Sequence, residues 1–124
     1  MADFDPFRVE SVRDEQHAVV LVAGDLDAAT APRLHDELVQ LASEGIDRIV
    51  LDLRRMTFVD SFGLGVIVNA KKRLSQQGNA LCIVAGEDQR TLRRVLEITG
   101  LDRVLPVHAS VADAVDACLD VDAA

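Results

Sequence analysis

Hydrophobic and polar positions along this chain follow two alternating rhythms. Phe7-Arg8-Val9-Glu10-Ser11-Val12 alternates apolar and polar side chains, as a strand with one solvated face does. After the polar turn Arg13-Asp14-Glu15-Gln16, the unbroken apolar run over residues 18–23 predicts a strand covered on both faces. A connection this short admits only a hairpin, so the opening pair is expected to be antiparallel. Gly24-Asp25-Leu26-Asp27 then breaks the run. A helix follows, with Thr30 as N-cap, Pro32 in the first turn, Leu34, Leu38, Leu41 and Ala42 on one face, and Gly45 as terminator.

The alternation continues. Residues 46–53 predict a buried strand with Asp52 as its one charge, and 63–77 a helix striped by Leu64, Ile67, Val68 and Leu74. Residues 80–85 predict another buried strand, and 87–99 a helix that turns Leu92, Val95 and Leu96 inward. Gly100 suits the left-handed position after that helix, with Leu101 making the accompanying apolar contact. Residues 104–107 predict a short edge strand marked by Pro106. Ser110 is expected to cap a last helix, with Asp113 three residues on and Val111, Ala114, Val115, Cys118 and Leu119 on its inner stripe. The order β, β, α, β, α, β, α, β, α predicts an α/β fold: one mixed, mostly parallel sheet of about five strands and about four helices. The whole of 1–124 is read as one domain with its core over about 7–119, and residues 1–6 and 120–124 are expected to fray.

Composition narrows the possibilities. The 124 residues (13.4 kDa) are 49% hydrophobic and 27% charged, which fits one folded domain and argues against disorder. Thirteen basic against 21 acidic residues give a formal charge of −8. That field repels phosphate backbones and anionic lipid, so neither nucleic acid nor membrane is an expected partner, whereas a basic protein surface is. No apolar run approaches the ~20 residues of a membrane helix and no leader pattern opens the chain, so a cytoplasmic location is expected. Cys82 and Cys118 fall at core positions and are expected to stay reduced there. Together with His17, His35 and His108 they lack metal-ligand spacing, and no cofactor is expected. The histidines read as turn or surface residues. Lys71-Lys72-Arg73 and Arg90, Arg93 and Arg94 read as solvated faces.

The informative segment runs from Leu53 through Asp60-Ser61-Phe62-Gly63-Leu64-Gly65. A buried strand is expected to end at Leu53, a short loop to follow, and Ser61 to open a helix by capping the N–H of Gly63 or Leu64. Two glycines in a first helical turn cost roughly 1 kcal/mol each against alanine. Close approach of another backbone would explain them. Spacing alone makes Ser61 an ordinary cap. The acids Asp25 and Asp27, which also follow a buried strand and precede a helix, are expected on the same rim as Ser61.

Gly-Asp-Leu-Asp after the second strand, Ile49-Val50-Leu51-Asp52-Leu53, Asp60-Ser61-Phe62-Gly63-Leu64-Gly65 and Thr99-Gly100-Leu101 together resemble the STAS domain, and more narrowly the bacterial anti-sigma-factor antagonists. The resemblance spans about Phe7 to Leu119. It implies a phospho-switch in which a partner anti-sigma factor, a serine kinase using ATP, phosphorylates the serine after the motif's aspartate, here Ser61. The unphosphorylated form would bind that kinase and free the sigma factor, indirectly favouring transcription, and a serine phosphatase would reset the cycle. The family's acid of the Gly-x-Leu-Asp stretch falls on Asp27, and Phe62 stands where many relatives carry a small residue. The expected partner-binding set is Asp25, Asp27, Asp60, Ser61, Phe62, Gly63 and Leu64, on a monomer or weak dimer.

Three rivals are weighed against it. A receiver domain would use Asp52 as phospho-acceptor, but it needs an acidic pair after the first strand, where Val12-Arg13 stands, and a lysine before Pro106, where Leu105 stands. An enzyme with Ser61 as nucleophile and His108 as base would want glycine at Val59, so no catalysis is expected. A STAS module serving another regulatory or lipid-transport assembly stays open.

Overall fold

Five strands and four α-helices follow one another in the expected sequence, with one short 3-10 turn added. The computed structural model describes residues 6–15 and 17–123, with side chains described as far as Cys118. β1 (Arg8–Asp14) and β2 (His17–Leu26) form the antiparallel hairpin. β3 (Arg48–Val59), β4 (Ala80–Val84) and β5 (Val107–His108) add in parallel, so the sheet order is β1-β2-β3-β4-β5. α1 (Ala31–Ser43), α2 (Ser61–Gln76), α3 (Arg90–Ile98) and α4 (Val111–Ala123) are the connections and the closing helix.

Side-chain alternation divides the sheet into two faces. Ile49, Leu51 and Leu53 of β3 and Leu81 and Ile83 of β4 join the core formed with Leu34, Leu38, Ile67 and Leu96 from α1, α2 and α3. Val50, Cys82 and Val84 point the other way and are covered by Ala114 and Cys118 of α4. At about 25 cal/mol per Å² of apolar surface, the first face dominates folding. Among the described residues no helix is long and apolar enough to cross a membrane.

Several boundaries differ from those expected, for physical reasons. β2 does not break at Gly24: the backbone takes φ +95° there, a conformation only glycine adopts cheaply, and the strand resumes to Leu26 after a bulge. β3 does not end at Leu53. Its continuation pairs Arg55, Met56, Phe58 and Val59 with Ala23, Gly24, Asp25 and Leu26, so the stretch expected as a loop is a two-stranded ribbon. Arg54 and Arg55 hid it by interrupting the apolar run.

α3 begins at Arg90 rather than 87, because Gln89 folds back, its Oε1 accepting from the Gly86 amide at 2.6 Å. The last strand is Val107–His108, since residues 101–103 form the 3-10 turn and Leu105 is fully buried. Gly100 is left-handed and Leu101 buried, as expected. Ser110 Oγ accepts from the Asp113 amide at 3.1 Å, also as expected. α4 continues through 120–123, where fraying was expected. Residues 1–5, Gln16, Ala124 and the Leu119 side chain lie outside the described residues.

Candidate functional site

The β2–α1 and β3–α2 turns are joined by the last rungs of the ribbon. Leu26 pairs with Val59, and the Asp60 amide donates to the Leu26 carbonyl at 3.1 Å. Asp25, Asp27, Asp60 and Ser61 therefore share one rim, at the carboxyl ends of two neighbouring parallel strands. Gly63 explains the closeness. A Cβ there would lie 2.7 Å from Leu26 Cγ and 2.8 Å from the Leu26 carbonyl oxygen, so no larger residue fits without movement. The expected close backbone approach is real at Gly63 but not at Gly65, whose Cβ position meets nothing within 4 Å.

Ser61 is not the cap. Asp60 holds that position in an extended conformation, and its Oδ1 accepts from the Phe62 and Gly63 amides at 2.9 and 3.1 Å. A carboxylate at a helix N-terminus both satisfies orphan N–H groups and opposes the positive end of the dipole. Ser61 becomes the first helical residue, exposed, with its hydroxyl relieved of capping. Phe62 is 62% exposed and Phe58, on the ribbon, 54%. Phe62 follows Ser61 directly and Phe58 stands three residues before it, so two exposed aromatic residues flank the serine in sequence.

The acids differ in what they do. Asp25 Oδ1 accepts from Thr57 Oγ at 2.6 Å across the ribbon. Asp27 turns its Oδ1 into its own loop, accepting from the Ala29 and Thr30 amides at 3.0 and 3.1 Å. Thr30 sits at the start of α1 but does not cap it, because its hydroxyl donates to the Asp25 carbonyl at 2.7 Å. Asp27 thus shapes the turn. Gly63 is buried and Leu64, half-buried, packs against the main core, so these two members of the expected binding set help to position the helix. Thr57 and Phe58 were missed; the apolar–polar alternation of Met56-Thr57-Phe58 was the available signal.

Other candidates fall away or change role. Asp52 is 4% exposed, and Arg54 Nε and a terminal nitrogen each reach its oxygens at 2.9 Å. Burial opposes its ionisation, but the Arg54 guanidinium and amide outweigh this and hold the carboxyl below its ordinary range. A sealed, ion-paired carboxylate is no phospho-acceptor. Arg93 is not part of a solvated basic face: it donates to the Ala85 and Gly86 carbonyls at 2.7 and 2.9 Å. His108 is half-buried rather than superficial. A cleft of about 420 Å³, lined by Met56, Phe58, Arg90 and Val95 among others, runs beside the ribbon. Among the described residues no cluster of three His, Cys, Asp or Glu side chains is disposed to hold a metal.

Known proteins resemble this chain along most of its length. An anti-sigma-B factor antagonist of Listeria monocytogenes is 40% identical over 96 residues, covering 77% of this chain and 82% of its own. Its namesake from Staphylococcus aureus is 32% identical over 100 residues, 81% of this chain and 91% of its own. The crystal structure of an anti-sigma factor antagonist from Mycobacterium paratuberculosis superposes with a TM-score of 0.82 at 26% identity, covering 92% and 95% of the two chains. Residues 8–114 match the STAS domain. With this fold, this rim and these relatives, the chain belongs to the STAS domain family.

Proposed function

We propose that this chain is an anti-sigma-factor antagonist whose docking is switched by phosphate on Ser61. The unphosphorylated rim binds an anti-sigma factor that is itself a serine kinase, and this releases the sigma factor. Transfer of the ATP γ-phosphoryl group to Ser61 Oγ ends the contact, and a serine phosphatase restores it. The chain is a regulatory binding protein that performs no catalysis of its own, and it acts in the cytoplasm where sigma factors work. The observation that carries this reading is the exposed Ser61 at the first position of α2, freed from capping by Asp60 and flanked in sequence by the exposed Phe58 and Phe62.

Magnitudes favour blocked docking over unfolding. A phosphoserine brings about −1.5 to −2 charges. The dipole of α2 favours that charge by about 0.3–1 kcal/mol, and repulsion from Asp60 is about 1.5–2 kcal/mol at ~4 Å in water. The difference is about 1 kcal/mol, small against the roughly 5–15 kcal/mol of a folded domain, so the fold tolerates the modification. At a closed interface an unpaired charge costs roughly 2–5 kcal/mol, about 30-fold to several thousandfold in affinity. Asp25, Asp27 and Asp60 supply an acidic surround suited to a basic partner surface.

The test is retention of a kinase from an extract of the source organism by the immobilised chain, with and without ATP, followed by mass spectrometry of the Ser61 peptide. The kinase is expected to be held without ATP and released with it, as phosphate appears on Ser61. Phosphate persisting in Ser61→Ala, or ATP-insensitive binding by the wild type, overturns the reading.

A further inference from the structure

Cys82 and Cys118 are the two cysteines of the chain. They stand 36 positions apart, yet their sulfur atoms lie 2.7 Å from one another. Cys82 belongs to β4 and Cys118 to α4, and each is 2% exposed. A disulfide requires a separation of about 2.05 Å, so the sulfurs need to close by only about 0.7 Å. We propose that this pair is a modification site, a dithiol that a peroxide converts into an intramolecular disulfide clipping α4 to β4.

The contact also orders the chemistry. The Cys118 thiol donates to the Cys82 sulfur. That contact lowers the Cys82 thiol and raises the Cys118 thiol from their ordinary range. The Cys82 thiolate attacks one oxygen of hydrogen peroxide; the O–O bond breaks, hydroxide leaves and gains a proton as water, and Cys82 becomes a sulfenic acid. The Cys118 sulfur then attacks the Cys82 sulfur, the S–O bond breaks, and the hydroxyl departs with the Cys118 proton as a second water. Two thiols lose two electrons and one peroxide becomes two waters.

Access comes through α4. Its seat on the sheet is built from small side chains, Val50, Ala80, Val84 and Ala114 beside the cysteines, whereas the opposite face is packed with leucine and isoleucine. Elements that bury little apolar surface open locally at lower free energy than the core. A peroxide is small enough to use such openings, and the bond formed then suppresses them. Because α2 lies on the other face of the sheet, the clip leaves the Ser61 rim uncovered and does not depend on the role proposed for Ser61.

The reduced full-length chain is treated with hydrogen peroxide and read by intact mass, by alkylation after denaturation and by thermal melting. Expected are a loss of about 2 Da, the disappearance of both alkylation sites and a linked Cys82–Cys118 peptide. Tm should rise on the order of 10 °C, reversibly with dithiothreitol. Cys82→Ala and Cys118→Ala should each abolish the mass loss and the Tm rise. Oxygen adducts without a cross-link, a disulfide-linked dimer, or thiols that stay intact in the folded chain while the urea-unfolded chain oxidises would each overturn the proposal.

Discussion

Gly63 rests its Cα against Leu26, so the first turn of α2 and the end of β2 touch with no room for a methyl group between them. This contact holds the serine-bearing turn against the acidic one. Gly63→Ala is expected to destabilise the chain by roughly 1–3 kcal/mol, the range for overpacking a filled site, even though alanine is the better helix former. Gly65→Ala, in open space, should instead stabilise by about 0.5–1 kcal/mol. Urea melts of the two variants distinguish these outcomes; equal shifts of one sign would refute the packing account.

Ser61→Glu places a single carboxylate where the phosphate is proposed. Its Tm should stay within a few degrees of the wild type, because helix dipole and Asp60 repulsion offset each other. Partner affinity should fall at least about 30-fold. Calorimetry and a binding titration on the same sample check both, and an unfolded variant would contradict the local-charge mechanism.

Phe62→Ala and Phe58→Ala test the two exposed aromatic residues. Both rings are more than half exposed, so each change should leave stability within about 0.5 kcal/mol. Aromatic residues at an interface centre lose about 2 kcal/mol or more on truncation, near 30-fold in affinity. Full-strength binding by both variants would place the partner elsewhere.

Asp52 and Arg54 set an acid-side dependence. Asp52 has a folded pKa below its unfolded one, so its contribution is complete above about pH 3.9 and is lost as the pH falls through the lower, folded value. Asp52→Asn should therefore flatten the acid limb of a stability–pH curve. Arg54→Ala leaves a buried carboxylate with less support and should cost roughly 1–3 kcal/mol at neutral pH. Denaturant melts at stepped pH values measure both, and identical acid limbs in wild type and Asp52→Asn would contradict the assignment.

The sheet, its mixed direction and its helices were legible because period-2 and period-3.6 runs of Val, Leu and Ile dominate the chain. The site was legible as a location: the Asp25–Asp27 and Asp60–Ser61 turns do lie side by side. Division of labour within it was not. Asp60 and Ser61 are both good capping residues, and only backbone geometry decides that Asp60 takes the position. Likewise, nothing in the spacing of Asp27 and Thr30 reveals that the acid closes the turn while the hydroxyl bonds Asp25. The ribbon beyond Leu53 is hidden in the sequence because Arg54 and Arg55 interrupt the apolar run and its partner, residues 23–26, is set off by register shifts before Ala23 and after Gly24.

β3 outlasts its neighbour β4: their pairing stops at Asp52 and Val84, while β3 runs on to Val59. Where the neighbour is missing, Gln89 Nε2 supplies a substitute donor to the Leu53 carbonyl at 2.8 Å. Seven residues at about 3.3 Å each amount to roughly 20 Å of strand. Ser61 accordingly opens α2 at the end of a ribbon that outruns β4, while Leu26, Met56 and Val59 keep that ribbon seated on the main core, so the turn that presents the serine has firm ground beneath it.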